Sequence, residues 1–128
     1  MSEYEKENIV ATFRSSLNSI FQEKLAKENW QEKVAKLAAR VNIAVMVGKN
    51  DKAYLHVIVD NGKISVEPGK LDDANFELAA TFETFFNVAS GTANPIVMLL
   101  SGKLKTKNAL KNLAKLLAIQ KLLILEKV

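Results

Sequence analysis

Near Arg40 the spacing of apolar residues changes from three-and-four to two, and at Thr81 it changes back. This double change of period constrains the chain most. A stripe at 3.6-residue spacing scatters over both faces of a strand, and an alternating stretch spreads around a helix instead of covering a core. Before the first change, Ile9, Val10, Phe13, Leu17, Ile20, Phe21 and Leu25 recur at helical spacing, so a helix is expected from about Glu3 to Lys27. Ser2 and Glu5 fit a capping box at its start, and the early glutamates suit the positive end of the helix dipole. Asn29 with Glu32 gives a second N-terminal signal, for a helix that puts Trp30, Val34, Leu37 and Ala38 on one face and ends near Arg40.

Between the two changes the chain reads as strands. Val41, Ile43, Val45 and Val47 alternate with Asn42, Ala44 and Met46, and Gly48 to Asp51 forms a turn. Tyr54 to Val59 is a second strand, and Asp60-Asn61-Gly62 is a hairpin signal into Lys63 to Glu67, which makes an antiparallel meander. Pro68-Gly69 breaks it, Leu71 to Asn75 reads as a connecting loop, and Phe76 to Ala80 alternates again. Thr81 is then an N-cap for a helix with Phe82, Phe85, Phe86 and Ala89 on one face, stopped by Gly91. Asn94-Pro95 opens a short helix over Ile96 to Ser101, Gly102 ends it, and Lys103 to Lys107 is a short strand. A last helix, about Asn108 to Glu126, carries Leu110, Leu113, Leu116, Leu117, Leu123 and Ile124 on one side, with Lys107, Lys111, Lys115 and Lys121 on the other. The order is ααβββ, then βααβα.

With 128 residues and no interrupting linker or repeat, one domain over 1–128 is expected, with a core sufficient without disulfides or metal. The absence of cysteine fits a reducing compartment, and the charged N-terminal residues lack the apolar run of an export signal, so the cytoplasm is the expected location. No uncharged stretch approaches the ~20 residues that span a bilayer. Catalytic chemistry is poorly supplied. The single histidine, His56, lies between Leu55 and Val57 in a strand, opposite the apolar face, and there is no thiol for it to activate. Asp72 and Asp73 sit in a loop flanked by breakers, where adjacent carboxyls cap or solvate the chain. Gly102-Lys103 lacks the rest of a phosphate loop, and no Gly-x-Gly-x-x-Gly pattern occurs. No enzyme activity, no cofactor and no metal site are expected.

The second half of the chain carries a recognisable arrangement: Phe76-Glu77-Leu78-Ala79-Ala80-Thr81-Phe82-Glu83-Thr84-Phe85-Phe86, then Gly91, Asn94-Pro95, and Leu100-Ser101-Gly102-Lys103-Leu104-Lys105. In order and spacing it resembles the sterol carrier protein type-2 family, the nonspecific lipid transfer proteins. The resemblance covers the order of elements from about Trp30 to Leu123, and the motif from Phe76 to Lys105. One departure stands out: Thr106-Lys107-Asn108-Ala109 follows where that family commonly has an apolar residue and then Gly-Asp. Asn108 tolerates left-handed backbone, so the turn is expected to survive without the capping aspartate.

The resemblance implies an α+β fold, a five-stranded mostly antiparallel sheet covered by about five helices, enclosing an apolar tunnel for sterol, fatty acid, acyl-CoA or phospholipid. Residues suited to lining it are Phe82, Phe85, Phe86, Ile96, Met98, Leu99, Leu100, Leu104, Leu113, Leu116 and Leu117, with Met46 a further adaptable candidate. Lys103, Lys105, Lys107, Lys111, Lys115 and Lys121 are candidates for contact with a headgroup or an anionic membrane, and the apolar run Leu122-Leu123-Ile124-Leu125 for a gate. The expected function is non-catalytic lipid binding and transfer by a monomer or weak homodimer. The alternative is an accessory interaction or dimerisation module using the same apolar groove. Nucleic acid is not an expected partner, because the phenylalanines fall on apolar faces and the lysines have no aromatic neighbours.

Overall fold

A computed structural model describes residues 2–108 and 112–123; the side chains of Pro95, Ile96, Leu113, Gln120 and Leu123 lie outside that description. The elements are α1 (Glu3–Leu25), α2 (Glu28–Ala35), β1 (Ala39–Met46), β2 (Lys52–Asp60), β3 (Lys63–Pro68), β4 (Phe76–Thr81), α3 (Phe82–Ala89), α4 (Pro95–Leu100), β5 (Lys105–Lys107) and α5 (Leu113–Leu123). The order read from the sequence is the observed one, and the five strands form one sheet in the order β3-β2-β1-β4-β5. β1 pairs antiparallel with β2 and β2 with β3, β4 lies parallel to β1, and β5 is antiparallel to β4.

Local chemistry sets most boundaries. The Ser2 hydroxyl accepts from the Glu5 amide at the head of α1, and the Thr81 hydroxyl accepts from the Thr84 amide at the head of α3. The β2–β3 turn places Asn61 at φ 51° and Gly62 at φ 78°, the paired left-handed geometry that an Asn-Gly hairpin turn requires. Two expectations are corrected. α2 is capped by Lys27 with no side-chain hydrogen bond, not by Asn29, and it stops at Ala35. Ala39 and Arg40 already pair with Val59 and Ile58, so strand pairing overrides the helical spacing there. The last helix does not start at Asn108, which takes the left-handed φ of 62° foreseen for it; α5 begins at Leu113. The expected extension of that helix beyond Leu123 falls outside the described residues.

One face of the sheet is the core. Val41, Ile43 and Val45 of β1, Leu55, Val57 and Val59 of β2, and Leu78 and Ala80 of β4 are buried together with Val10, Phe13, Leu17 and Phe21 of α1, Trp30 and Val34 of α2, and Leu116, Ile119 and Leu122 of α5. Arg14 fastens α1 to edge strand β3, donating from Nε to the Val66 carbonyl at 2.7 Å and pairing with Glu67 at 2.9 Å. Lys24 was not expected inside, yet it is only 4% exposed. Its Nζ lies 4.2 Å from the centre of the Trp30 ring and donates to the Lys121 carbonyl at 3.2 Å, near the negative end of α5.

The other face carries the crossover. Residues 69–75 must lead from β3 at one edge, past β2 and β1, to β4, three inter-strand steps of about 14 Å in all. Each strand passed supplies a hold. His56 of β2 places Nδ1 3.0 Å from the Gly69 carbonyl, and Asn42 of β1 exchanges two 2.8 Å hydrogen bonds with the backbone of Leu71. Arg40 then pairs with Asp73 and accepts from the Asn75 amide at its carbonyl. The loop aspartates thus include one structural partner, and His56 serves the crossover.

Candidate functional site

Among the described residues an apolar opening lies between α1 and α3, on the core side of the sheet. α1 contributes Phe13, Leu17 and Ile20, and α3 contributes Phe82, Phe85, Phe86 and Ala89, around a groove of about 350 Å³. That is the lower part of the ~300–1,000 Å³ range of small-molecule sites. Its floor is an aromatic cluster in which the Phe13 ring meets Phe82 edge-on at 5.7 Å and Phe85 at 5.2 Å. Edge-to-face packing fixes those rings and leaves the apolar surface between the helices open. Phe86 stands at the rim, 60% exposed. Among the described residues, the polar ones around the groove are Ser16, Ser19, Glu23 and Ser90, and no lysine or arginine lines it. Ser16 and Ser90 already donate within their own helices, which leaves Ser19 and the exposed Glu23 to meet a polar group on a ligand.

Of the residues expected to line a lipid site, Phe82, Phe85 and Phe86 are brought together here. Leu104 and Leu116 are buried in the core, and Met98 and Leu99 pack against it half-buried. Leu100 is 85% exposed. Leu117 lines a second groove, of about 370 Å³, between α2 and α5, with Trp30, Val34, Leu37 and Leu122. Met46 lies at a polar hollow on the other face of the sheet. The side chains of Ile96 and Leu113 are outside the described residues. Sequence reading missed the α1 wall of the groove, although Phe13, Leu17 and Ile20 stand one helical turn apart beside Ser16, Ser19 and Glu23, a stripe whose polar edge is mixed into its apolar one.

The lysines do not form one surface. Lys121 edges the α2–α5 groove, and Lys115 is half-buried on the same helix. Lys105 and Lys107 belong to β5 and line the polar hollow, while Lys103 is exposed in the turn before it. Lys111 lies outside the described residues. Leu122 is buried in the core, so it holds α5 in place; Ile124 and Leu125 lie outside the description. Among the described residues no group of three or more His, Asp or Glu side chains comes together as a metal site would need, and no helix is long and apolar enough to cross a membrane.

A sequence profile of the SCP-2 sterol transfer family matches residues 17–123. The chain belongs to that family. The SCP-2 fold is also what the solved structures show. Sterol carrier protein 2 from Yarrowia lipolytica, in its apo form, is 24% identical with a TM-score of 0.64, over 96% of this chain and 92% of that one. The sterol carrier protein domain 2 of Helicoverpa armigera is 17% identical with a TM-score of 0.66, over 88% and 89%. A ubiquinone synthesis protein described as UbiJ-SCP2 is 14% identical with a TM-score of 0.65, over 96% and 93%. A search of curated proteins gave no match. Membership of the SCP-2 family supports lipid binding and transfer in general terms, and the expected architecture is the one observed: five helices with a mostly antiparallel five-stranded sheet.

Proposed function

We propose that the α1–α3 groove is the lipid site of this chain and that it selects lipids with a neutral, hydroxyl-bearing end over those with an anionic head. The observation that carries this is the lining: an aromatic floor and aliphatic walls, with Ser19 and Glu23 as the available polar groups and, among the described residues, no cation. Apolar burial supplies affinity, a hydroxyl can donate to Glu23, and a fatty-acid carboxylate or an acyl-CoA phosphate would meet a like charge there. A sterol-like alcohol is therefore the favoured ligand class. Binding and release need no bond chemistry, so the role is carriage rather than catalysis.

Loading from a membrane fits α4. Val97 is 52% exposed and Leu100 85%, one turn apart, and the exposed Lys103 follows directly. Two apolar side chains beside a cation suit the interface of an anionic bilayer.

Displacement of a fluorescent sterol by unlabelled cholesterol and by oleate tests the selectivity. Cholesterol should compete at least tenfold better, Glu23→Lys should narrow or invert that ratio, and Phe86→Ala should weaken binding while changing stability by no more than about 0.5 kcal/mol. Phe85→Ala, at the buried floor, should cost about 3–5 kcal/mol and so reports on folding instead. Oleate competing as well as cholesterol, with Glu23→Lys indifferent, would overturn the reading. For the membrane, Leu100→Glu should reduce co-sedimentation with phosphatidylserine vesicles without altering sterol affinity in detergent-free solution.

A further inference from the structure

A second cavity, of about 420 Å³, opens on the face of the sheet away from the α1–α3 groove. β1, β4 and β5 build it in register. Ala44 pairs with Ala79 and Ala79 with Lys105, while in the next row Asn42 pairs with Glu77 and Glu77 with Lys107. Ala79 is a short side chain among long ones, so it forms a floor, and Lys49, Lys52, Lys105 and Lys107 stand around it with Met46, Asn50 and Thr106.

Glu77 is the unusual member. It is only 5% exposed, and its Oε2 is buried without a hydrogen-bond partner. The row explains why. Asn42, on one side, exchanges its amide hydrogen bonds with Leu71 of the crossover, and Lys107, on the other, stays 3.9 Å from Oε2, beyond hydrogen-bond range. Buried polar atoms are nearly always satisfied, and one that is not destabilises the fold unless something else supplies the donor. The cations around it are poorly matched as well. Asp51, the other acid of the cavity, is taken by Lys6 at 2.6 Å, so Lys49, Lys52 and Lys105 stand around the hollow beside the Lys107–Glu77 pair.

We propose that this hollow binds a phosphate ester carrying a neighbouring hydroxyl: the hydroxyl donates to the Glu77 carboxylate where it lines the hollow, and the phosphate is held among Lys49, Lys52, Lys105 and Lys107. A phosphate alone leaves Glu77 unsatisfied, and an ammonium in place of the hydroxyl would sit inside a ring of like charge. A polyol phosphate meets both needs. It can arrive as a free metabolite or as the headgroup of a hydroxylated anionic phospholipid. The site is independent of the apolar groove, which lies across the sheet, and its success or failure does not bear on sterol binding there.

Titration of the whole protein with sn-glycerol 3-phosphate and with inorganic phosphate, followed by amide NMR, tests it. Glycerol phosphate should bind at least tenfold more tightly, with shifts centred on Met46, Glu77 to Ala79 and Lys105 to Lys107. Glu77→Met, which keeps the chain length and removes both acceptor oxygens, should bring the two ligands to equal affinity while the melting temperature holds or rises, since a buried oxygen without a hydrogen-bond donor is removed. Should that variant fail to fold, Lys105→Gln, at an exposed position, should weaken both ligands together. Equal affinity for both ligands in the natural protein, no binding of either, or an undiminished preference for glycerol phosphate in Glu77→Met would each overturn the proposal. Once binding is established, vesicles containing phosphatidylglycerol identify the source. Competition by the vesicles that exceeds that of phosphatidylserine vesicles points to a lipid headgroup, and its absence to a soluble polyol phosphate.

Discussion

The interior of this protein is marked by a few polar side chains whose neighbours decide what they do. Lys24 and Glu77 are both buried and of opposite charge, yet they differ in kind. Lys24 is met by the Trp30 face and the Lys121 carbonyl and fastens three helices, whereas Glu77 Oε2 has no hydrogen-bond donor and faces the Lys107 ammonium at 3.9 Å. A third polar contact, on the surface, has a definite pH signature. The hydrogen bond from Lys6 holds the Asp51 carboxyl below its ordinary range, and the same bond holds the Lys6 ammonium above its own. The pair therefore contributes fully between the ordinary carboxyl and ammonium values. Its contribution is lost as pH falls through the depressed Asp51 value or rises through the raised Lys6 value. Both groups keep solvent contact, so the effect is small and salt-sensitive. Thermal melts of Asp51→Asn across pH should show a lower melting temperature than the natural protein at neutral pH, with the gap closing at strongly acidic pH.

At the scale of elements, the crossover is the part most dependent on specific side chains. Asn42→Ala would strip the Leu71 amide and carbonyl of their partners and should cost about 1–3 kcal/mol in urea unfolding, far more than an alanine at an exposed strand position. The helices, the meander and the Asn61-Gly62 turn were legible because each is written locally: a period, a cap, a residue suited to positive φ. Asn108 was legible for the same reason. The early end of α2 was not, because the pairing of Ala39 with Val59 is a contact between residues far apart in the chain and leaves no local mark. The groove was half legible. Its α3 wall announced itself as phenylalanines on one face, but the α1 wall looked like ordinary core until the fold set Phe13 against Phe82 and Phe85. Lys107 was read two ways, as the end of a short strand and as part of a stripe with Lys111 and Lys115; the strand reading holds, and β5 sets Lys107 at the polar hollow.

Across the whole molecule, the sheet separates two kinds of surface, an apolar groove under helices on one side and a lysine-ringed hollow on the other. A ligand bound only to the folded groove stabilises the entire domain, by about 2.7 kcal/mol at a hundredfold excess over its Kd. Saturating sterol should thus raise the melting temperature, and hydrogen exchange should slow in α1 and α3. Exchange that slowed in α2 and α5 instead would place the ligand in the other groove. The single parallel pair gives this a particular form. β4 joins the β3-β2-β1 meander along the free side of β1 and leads on to α3 and β5, so the two walls of the groove, α1 and α3, lie before and after the β1–β4 pairing in the chain. A lipid in the proposed site would therefore bridge the first half of the chain to the second, adding a link across the groove to the one the β1–β4 pairing makes within the sheet.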